Sequence, residues 1–289
     1  MARIAAAPRH RTPLAALTAE GTRAQAPAAL VADLLPPAPS ALPRLSGGQL
    51  RVWLVDVDTH ARGAREAAAG TLCGTEQARA AAFMDDADRA AYLTSHVALR
   101  RLLAAYTGTV PNEVELVRDP CPLCAQPHGR PALRGGGGPH FSLSHTRGLG
   151  LIAVAGTPVG ADCEALADIH PSPDLGRLLH PREQAELTAL PDHRRGHAFG
   201  RAWTRKEAYL KGLGTGLGRS STLDYVGTGP VPAAVAPDWR LRDVALPDGF
   251  SGAVAWRVPP ADDPPPGSRC PRGSRRGGTG WEGEVRGST

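Results

Sequence analysis

Four short stretches of the 289-residue chain hold side chains whose types and spacing can do chemistry. In Gly160-Ala161-Asp162-Cys163-Glu164 two carboxylates stand two positions apart. At that spacing on a strand they face one side, and a bound divalent cation is the usual relief of their repulsion. Two solvated acids on a sheet edge are the ordinary alternative. In Trp203-Thr-Arg-Lys206-Glu207-Ala-Tyr-Leu-Lys211, Glu207 and Lys211 are i and i+4 and share a helix face, whereas Lys206 lies about 100° round the axis. A third carboxylate and a flexible ammonium on one face suit a magnesium ion bridging phosphates, because Mg²⁺ takes one or two carboxylates with substrate phosphate and water. The alternative is a surface ion pair contributing roughly 0.2–0.5 kcal/mol. In His140-Phe-Ser-Leu-Ser144-His145-Thr146, Ser144 and His145 at a strand end can donate to phosphate or stabilise a turn. Finally, Cys121-Pro-Leu-Cys124 with His128 begins a zinc pattern, but no second Cys pair follows and His140 is the nearby candidate for a fourth ligand. A loop of reduced thiols is the ordinary reading.

The lysines single out one of these stretches. Of 33 basic residues 31 are Arg, and the two Lys are Lys206 and Lys211. An ammonium is a compact point charge and a guanidinium a planar fork, so a site that needs the former resists replacement by Arg.

These groups need a scaffold. Leu50 to Val57 alternates as a strand, and residues 75–83 and 88–106 carry apolar positions at helical spacing. Val114 to Val117 reads as a short strand, followed by a Pro/Cys/Gly loop to Pro139. Phe141 to Leu143, Leu149 to Ala155 and Val159 to Asp162 read as strands. Residues 181–190 and about 196–211 read as helices, the second closed by Gly212 as C-terminal cap. Trp239 to Val244 and Ala253 to Val258 close the fold as strands. Elements mixed in this way, rather than strictly alternating, indicate an α+β class. The Gly212–Gly218 run follows a helix instead of preceding one, so it suits a flexible lid better than a phosphate cradle.

Composition removes several classes of function. With 42% hydrophobic and 21% charged residues the chain is globular, with no apolar run of about 18 residues to span a membrane. Five cysteines do not make a secreted disulfide framework, and no signal peptide is expected, so a cytoplasmic location is the default. The net charge is +5, but most of the excess sits in residues 1–48 and 259–289, so no nucleic-acid-binding face is implied. Those two segments are rich in Ala, Pro, Gly and Arg and read as a disordered leader and a disordered tail.

Taken together, Phe141-Ser-Leu-Ser-His145, Gly160-Ala-Asp-Cys-Glu164 and Trp203-Thr-Arg-Lys-Glu207-Ala-Tyr-Leu-Lys211 resemble, in order and separation, the motifs of the Sfp-type 4′-phosphopantetheinyl transferases. Gly129-Arg130-Pro131 is similar to that family's Gly-Lys-Pro step. The resemblance covers about 50–258. It implies two similar α+β halves in a pseudo-dimeric fold, 49–157 and 158–258, with coenzyme A in the cleft between them. The activity it implies is transfer of the phosphopantetheine arm of coenzyme A to a serine of an apo acyl or peptidyl carrier protein, releasing adenosine 3′,5′-bisphosphate. By the same resemblance, Asp162, Glu164 and Glu207 would hold Mg²⁺, and Glu207, directly or through a metal-bound water, would also be the candidate base for the carrier serine. Lys211 would neutralise the pyrophosphate, Ser144 and His145 would contact the nucleotide phosphates, and Arg130 would stand where the family's Lys meets coenzyme A. Arg79 and Arg89 are available for the 3′-phosphate, but Ala82 and Ala91 occupy positions where the family commonly has basic residues. Family precedent suggests a monomer serving carriers of secondary metabolism. The competing expectations are a non-catalytic coenzyme A or carrier-binding homologue, and a zinc-containing nucleic-acid-binding protein.

Overall fold

A computed structural model of the chain describes residues 30–31, 41–169 and 176–259. Strand β1 (Leu30–Val31) pairs in parallel with β2 (Leu50–Asp56). Helices α1 (Val57–Thr71), α2 (Gly74–Ala81) and α3 (Asp86–Thr107) follow. The short strands β3 (Leu116–Arg118) and β4 (Pro131–Leu133) form a two-stranded ribbon. Next come β5 (His140–Thr146), β6 (Leu149–Ala155) and β7 (Val159–Ala165), then α4 (Pro181–Ala189) and α5 (Asp192–Leu213). Strands β8 (Trp239–Asp243) and β9 (Phe250–Arg257) close the described chain. One sheet has the order β1-β2-β6-β5 and another β7-β9-β8, an α+β arrangement as expected.

Alternation along the strands divides the core into layers. Trp53 and Val55 of β2, with Phe141, Ile152 and Val154, pack on Leu99, Leu102 and Leu103 of α3. The intervening residues Val52, Leu54, Leu151 and Ala153 point the other way and meet Val159, Ala161, Cys163 and Val254 between the two sheets. On the far face of the second sheet, Ala253 and Ala255 meet Ala208 and Tyr209 of α5. The order through the molecule is therefore helix, sheet, sheet, helix.

Two glycines hold α5 close to β7. A Cβ on Gly160 would stand 2.0 Å from Ala208 O and 2.3 Å from Gly212 N, and one on Gly212 would strike the Trp239 ring at 2.6 Å. Gly212 is thus a packing residue inside α5 and not its cap. The cap is Gly214, whose φ of 80° is the left-handed conformation that glycine adopts without strain.

Other expectations are also adjusted. Helix α1 was not read from the sequence, because its buried positions Val57, Ala64 and Thr71 are few and mostly small. The folded part begins before residue 49. Leu42 N–H donates to Ala105 O at 2.9 Å, Leu42 and Leu45 pack on the α3 core, and Leu30–Val31 is a strand, so the leader is not disordered throughout. Of the tail expected over 259–289, residues 260–289 lie outside the described residues. Among the described residues no helix is long and apolar enough to cross a membrane.

Candidate active site

Strand β7 turns Val159, Ala161 and Cys163 into the core between the sheets, so Asp162 and Glu164 face α5. Asp162 is 2% exposed. Its Oδ1 accepts from Lys211 Nζ at 2.6 Å and from Ser144 Oγ at 2.8 Å. Its Oδ2 is buried with no partner. A buried carboxylate oxygen without a donor is costly, and a hard cation is the kind of partner that satisfies it.

The other two acids feel this neighbour. Burial, then Asp162, then Glu207 push Glu164 up to about 7 against the pull of Lys211. Burial and then Asp162 also raise Glu207. Lys211 is held above its usual range: burial opposes its charge, but Asp162 and then Glu207 outweigh that. Asp162 is thus the shared electrostatic neighbour of Glu164, Glu207 and Lys211. The oxygens of the three acids are not all drawn within 4.8 Å of one another, a closeness reached among the described His, Cys, Asp and Glu side chains by Cys121, Cys124 and His128. The Lys211 ammonium supplies the positive charge beside Asp162.

Lys211 also borders a cavity of about 820 Å³, whose cationic lining includes Arg79, Arg100, Arg118, Arg130 and Arg134. His145 lines it as well. Burial, and then the charges of His96, Lys211 and Arg79, push His145 down to about 4, so at neutral pH it is an uncharged donor. Arg130 bonds Gly212 O at 2.8 Å and Asp119 at 3.5 Å, while its buried Nε has no partner. Ser144 is placed differently from expectation, because its hydroxyl is turned to Asp162 and is not part of the cavity lining.

Sequence reading missed one wall. His96 stacks on Tyr92 with centroids 4.0 Å apart and bonds Glu76 at 3.1 Å, and Arg100 Nε donates to Glu76 at 2.5 Å. Burial opposes the Glu76 charge, but His96, the Cys73 N–H and Arg100 together hold its carboxyl down to about 2. The 92, 96, 100 spacing on α3 was the available signal. Of the residues thought to matter for the 3′-phosphate, Arg79 lies over Tyr92 at 5.8 Å in the cavity, whereas Arg89 bonds Asp86 and Phe83 O. Ala91 is 2% exposed in the core, and Ala82 is an exposed C-cap. The Gly212–Gly218 run contributes Gly214 and Gly216 to the cavity wall.

Most of the nine-residue motif on α5 is structural. Arg205 is fully buried and forks onto Asp243 at 2.6 and 2.5 Å, with a third bond to Gly227 O. Lys206, round the axis from Glu207 and Lys211, pairs with buried Glu183 at 3.0 Å. Glu207 and Lys211 alone of the motif's charged residues turn toward Asp162.

Comparison with known proteins gives concordant matches. Residues 158–229 match the model of the 4′-phosphopantetheinyl transferase superfamily. The chain is 33% identical over 229 residues to the 4′-phosphopantetheinyl transferase HetI of Nostoc sp., covering 76% of this chain and 92% of that protein. It is 33% identical over 143 residues to the 4′-phosphopantetheinyl transferase psf-1 of Bacillus pumilus, covering 46% and 60% respectively.

Proposed function

The chain belongs to the 4′-phosphopantetheinyl transferase superfamily, and from that premise we propose that it transfers the phosphopantetheine arm of coenzyme A to a serine of apo acyl or peptidyl carrier domains. The observation that carries this reading is the Asp162 carboxylate. It is buried, with one oxygen on Lys211 and the other without a donor, beside a cationic cavity large enough for a nucleotide.

In the proposed reaction the carrier serine Oγ attacks the β-phosphorus of coenzyme A. The new P–O bond forms as the bond from that phosphorus to the bridging oxygen breaks, and the bridging oxygen leaves with its electron pair on adenosine 3′,5′-bisphosphate. Glu207 takes the serine proton. Burial and Asp162 raise its pKa, the direction that makes a carboxylate a stronger base. Lys211 places its ammonium against the pyrophosphate, and the neutral His145 donates an N–H to a phosphate oxygen. Arg79 and Arg130 meet the remaining phosphate charge. The oxygen-rich acid set Asp162, Glu164 and Glu207 fits a hard divalent cation, and Mg²⁺ held there would neutralise charge developing on the pyrophosphate. With little covalent work to do, the residues act through position and charge. We read 49–157 and 158–258 as the two halves flanking the cleft, in a monomer acting in the cytoplasm on carriers of polyketide and non-ribosomal peptide biosynthesis.

The test is to incubate the protein with coenzyme A, Mg²⁺ and apo carrier domains and to weigh the carriers by mass spectrometry. The expected result is a gain of one phosphopantetheine on the serine, with Glu207→Gln slower by about 10²–10⁴-fold. Full activity of Glu207→Gln removes it from the base role. Coenzyme A binding without mass gain on any carrier would support a non-catalytic binding protein instead.

A further inference from the structure

The loop between β3 and β4 holds a group of side chains that transfer chemistry does not use. Cys121, Cys124 and His128 bring their ligand atoms within 4.8 Å of one another, with Cys124 Sγ and His128 Nε2 at 3.0 Å. Both cysteines are free thiols. Cys121 is buried at the base of the loop, whereas Cys124 and His128 are exposed.

The backbone folds back on the first cysteine. Ala125 N–H closes back on Cys121 O at 2.8 Å, and Cys121 N–H donates to Gln126 O at 2.7 Å. This tight turn places Ala125 at φ 60°, the one non-glycine residue at positive φ among the described residues. An alanine in that conformation is strained, because its Cβ crowds the following carbonyl oxygen. The thiol of Cys124 and the imidazole of His128 are exposed, and the turn converges them with Cys121 on one point.

We propose that Cys121, Cys124 and His128 bind one zinc ion, with water completing a tetrahedron. Two thiolates and an imidazole are soft and borderline donors, the set that selects Zn²⁺ over Mg²⁺. His140, the fourth ligand considered from sequence, stands outside the trio. The site would act as a clamp on the cavity wall. The loop is tied at its root by Asp119 N–H to Arg130 O and Gly129 N–H to Asp119 O, both 2.8 Å. Gly129 admits no side chain there, since a Cβ would stand 2.6 Å from Asp119 O. Arg130 in turn reaches across to Gly212 O on α5. Zinc would therefore fix the segment that presents Arg130 to the cavity, and this holds whether or not the chain is a transferase.

The test uses the full chain, reduced, freed of metal with a chelator and reloaded with Zn²⁺ or Co²⁺. One equivalent of metal should remain after desalting, and the cobalt form should show thiolate-to-metal charge-transfer absorption that a large excess of Mg²⁺ does not remove. Cys124→Ser and His128→Ala should lose both signals and Cys73→Ser should keep them. Hydrogen exchange should slow on zinc loading across 119–131 and not across 159–165, a readout that needs no variant. Wild-type protein with titratable thiols that retains no metal overturns the proposal, as does metal retained in Cys124→Ser.

Discussion

Replacing Lys206 by Met should cost the fold far more than a surface charge would. Lys206 is 1% exposed and Glu183 is fully buried, with Nζ 3.0 Å from Glu183 Oε2 and 2.5 Å from Asp224 O. The Glu183 carboxylate also accepts from the N–H groups of His180, Val226 and Gly227 at 2.9, 2.7 and 3.3 Å. It therefore ties the start of α4 to the 224–227 segment and to α5. Removing one partner of such a pair leaves an uncompensated buried charge, which costs about 3–5 kcal/mol. At about 2–4 °C per kcal/mol for a domain of this size, Tm should fall by roughly 6–20 °C. Urea denaturation and thermal melting both measure this. The double variant Lys206→Met with Glu183→Gln removes the stranded charge, so it should recover a large part of the loss. A single-variant loss under about 1 kcal/mol, the range of exposed ion pairs, would refute the reasoning. So would a double variant whose loss is the sum of the two singles.

Further expectations concern the site. Glu164 has a folded pKa raised to about 7, so the native state binds more protons than the unfolded chain between about 4.5 and 7, and its contribution to stability declines as pH rises through that window. Glu164→Gln, measured in urea without divalent cation, should match wild type near pH 4.5 and exceed it at pH 8 by about 1–3 kcal/mol, a range discounted for partial exposure. His145 has the opposite sign. Its pKa is depressed to about 4, so its contribution is complete above pH 6.5 and is lost as pH falls, and the Glu164→Gln variant should show this acid-side loss more plainly. Lys211→Arg keeps a cation but cannot set a compact ammonium 2.6 Å from Asp162 and near Ser144; steady-state kinetics should show coenzyme A binding retained and turnover lowered by about 10²-fold. Gly160→Ala drives a Cβ into the α5 backbone, so denaturation should show a loss at the upper end of about 1–3 kcal/mol, with activity falling as β7 and α5 separate.

Local periodicity made much of this protein legible as a sequence. Two-residue spacing put Asp162 and Glu164 on one face, and four-residue spacing put Glu207 and Lys211 on another. The scarcity of Lys marked both ammonium groups that turned out to be held by carboxylates. What periodicity misses is any signal carried by small residues, as in α1, or by packing between elements. Nothing near Gly212 says that it abuts Gly160 and Trp239 rather than capping its helix, because both neighbours are far away in the chain.

By itself, the sequence determined the acid pairs, the helix face of Lys211 and the α+β mixture, since each depends on residues within one or two turns or strands. Only the tertiary structure decided which group each charge meets. Burial made Asp162 share one oxygen between Ser144 and Lys211 and left its other oxygen without a donor. The packing of α2 and α3 brought Glu76, His96 and Arg100 together at the cavity, and one tight turn converged Cys121, Cys124 and His128. The physical reason is range: backbone geometry repeats over a few residues, whereas desolvation and charge pairing depend on what the folded chain carries in from elsewhere.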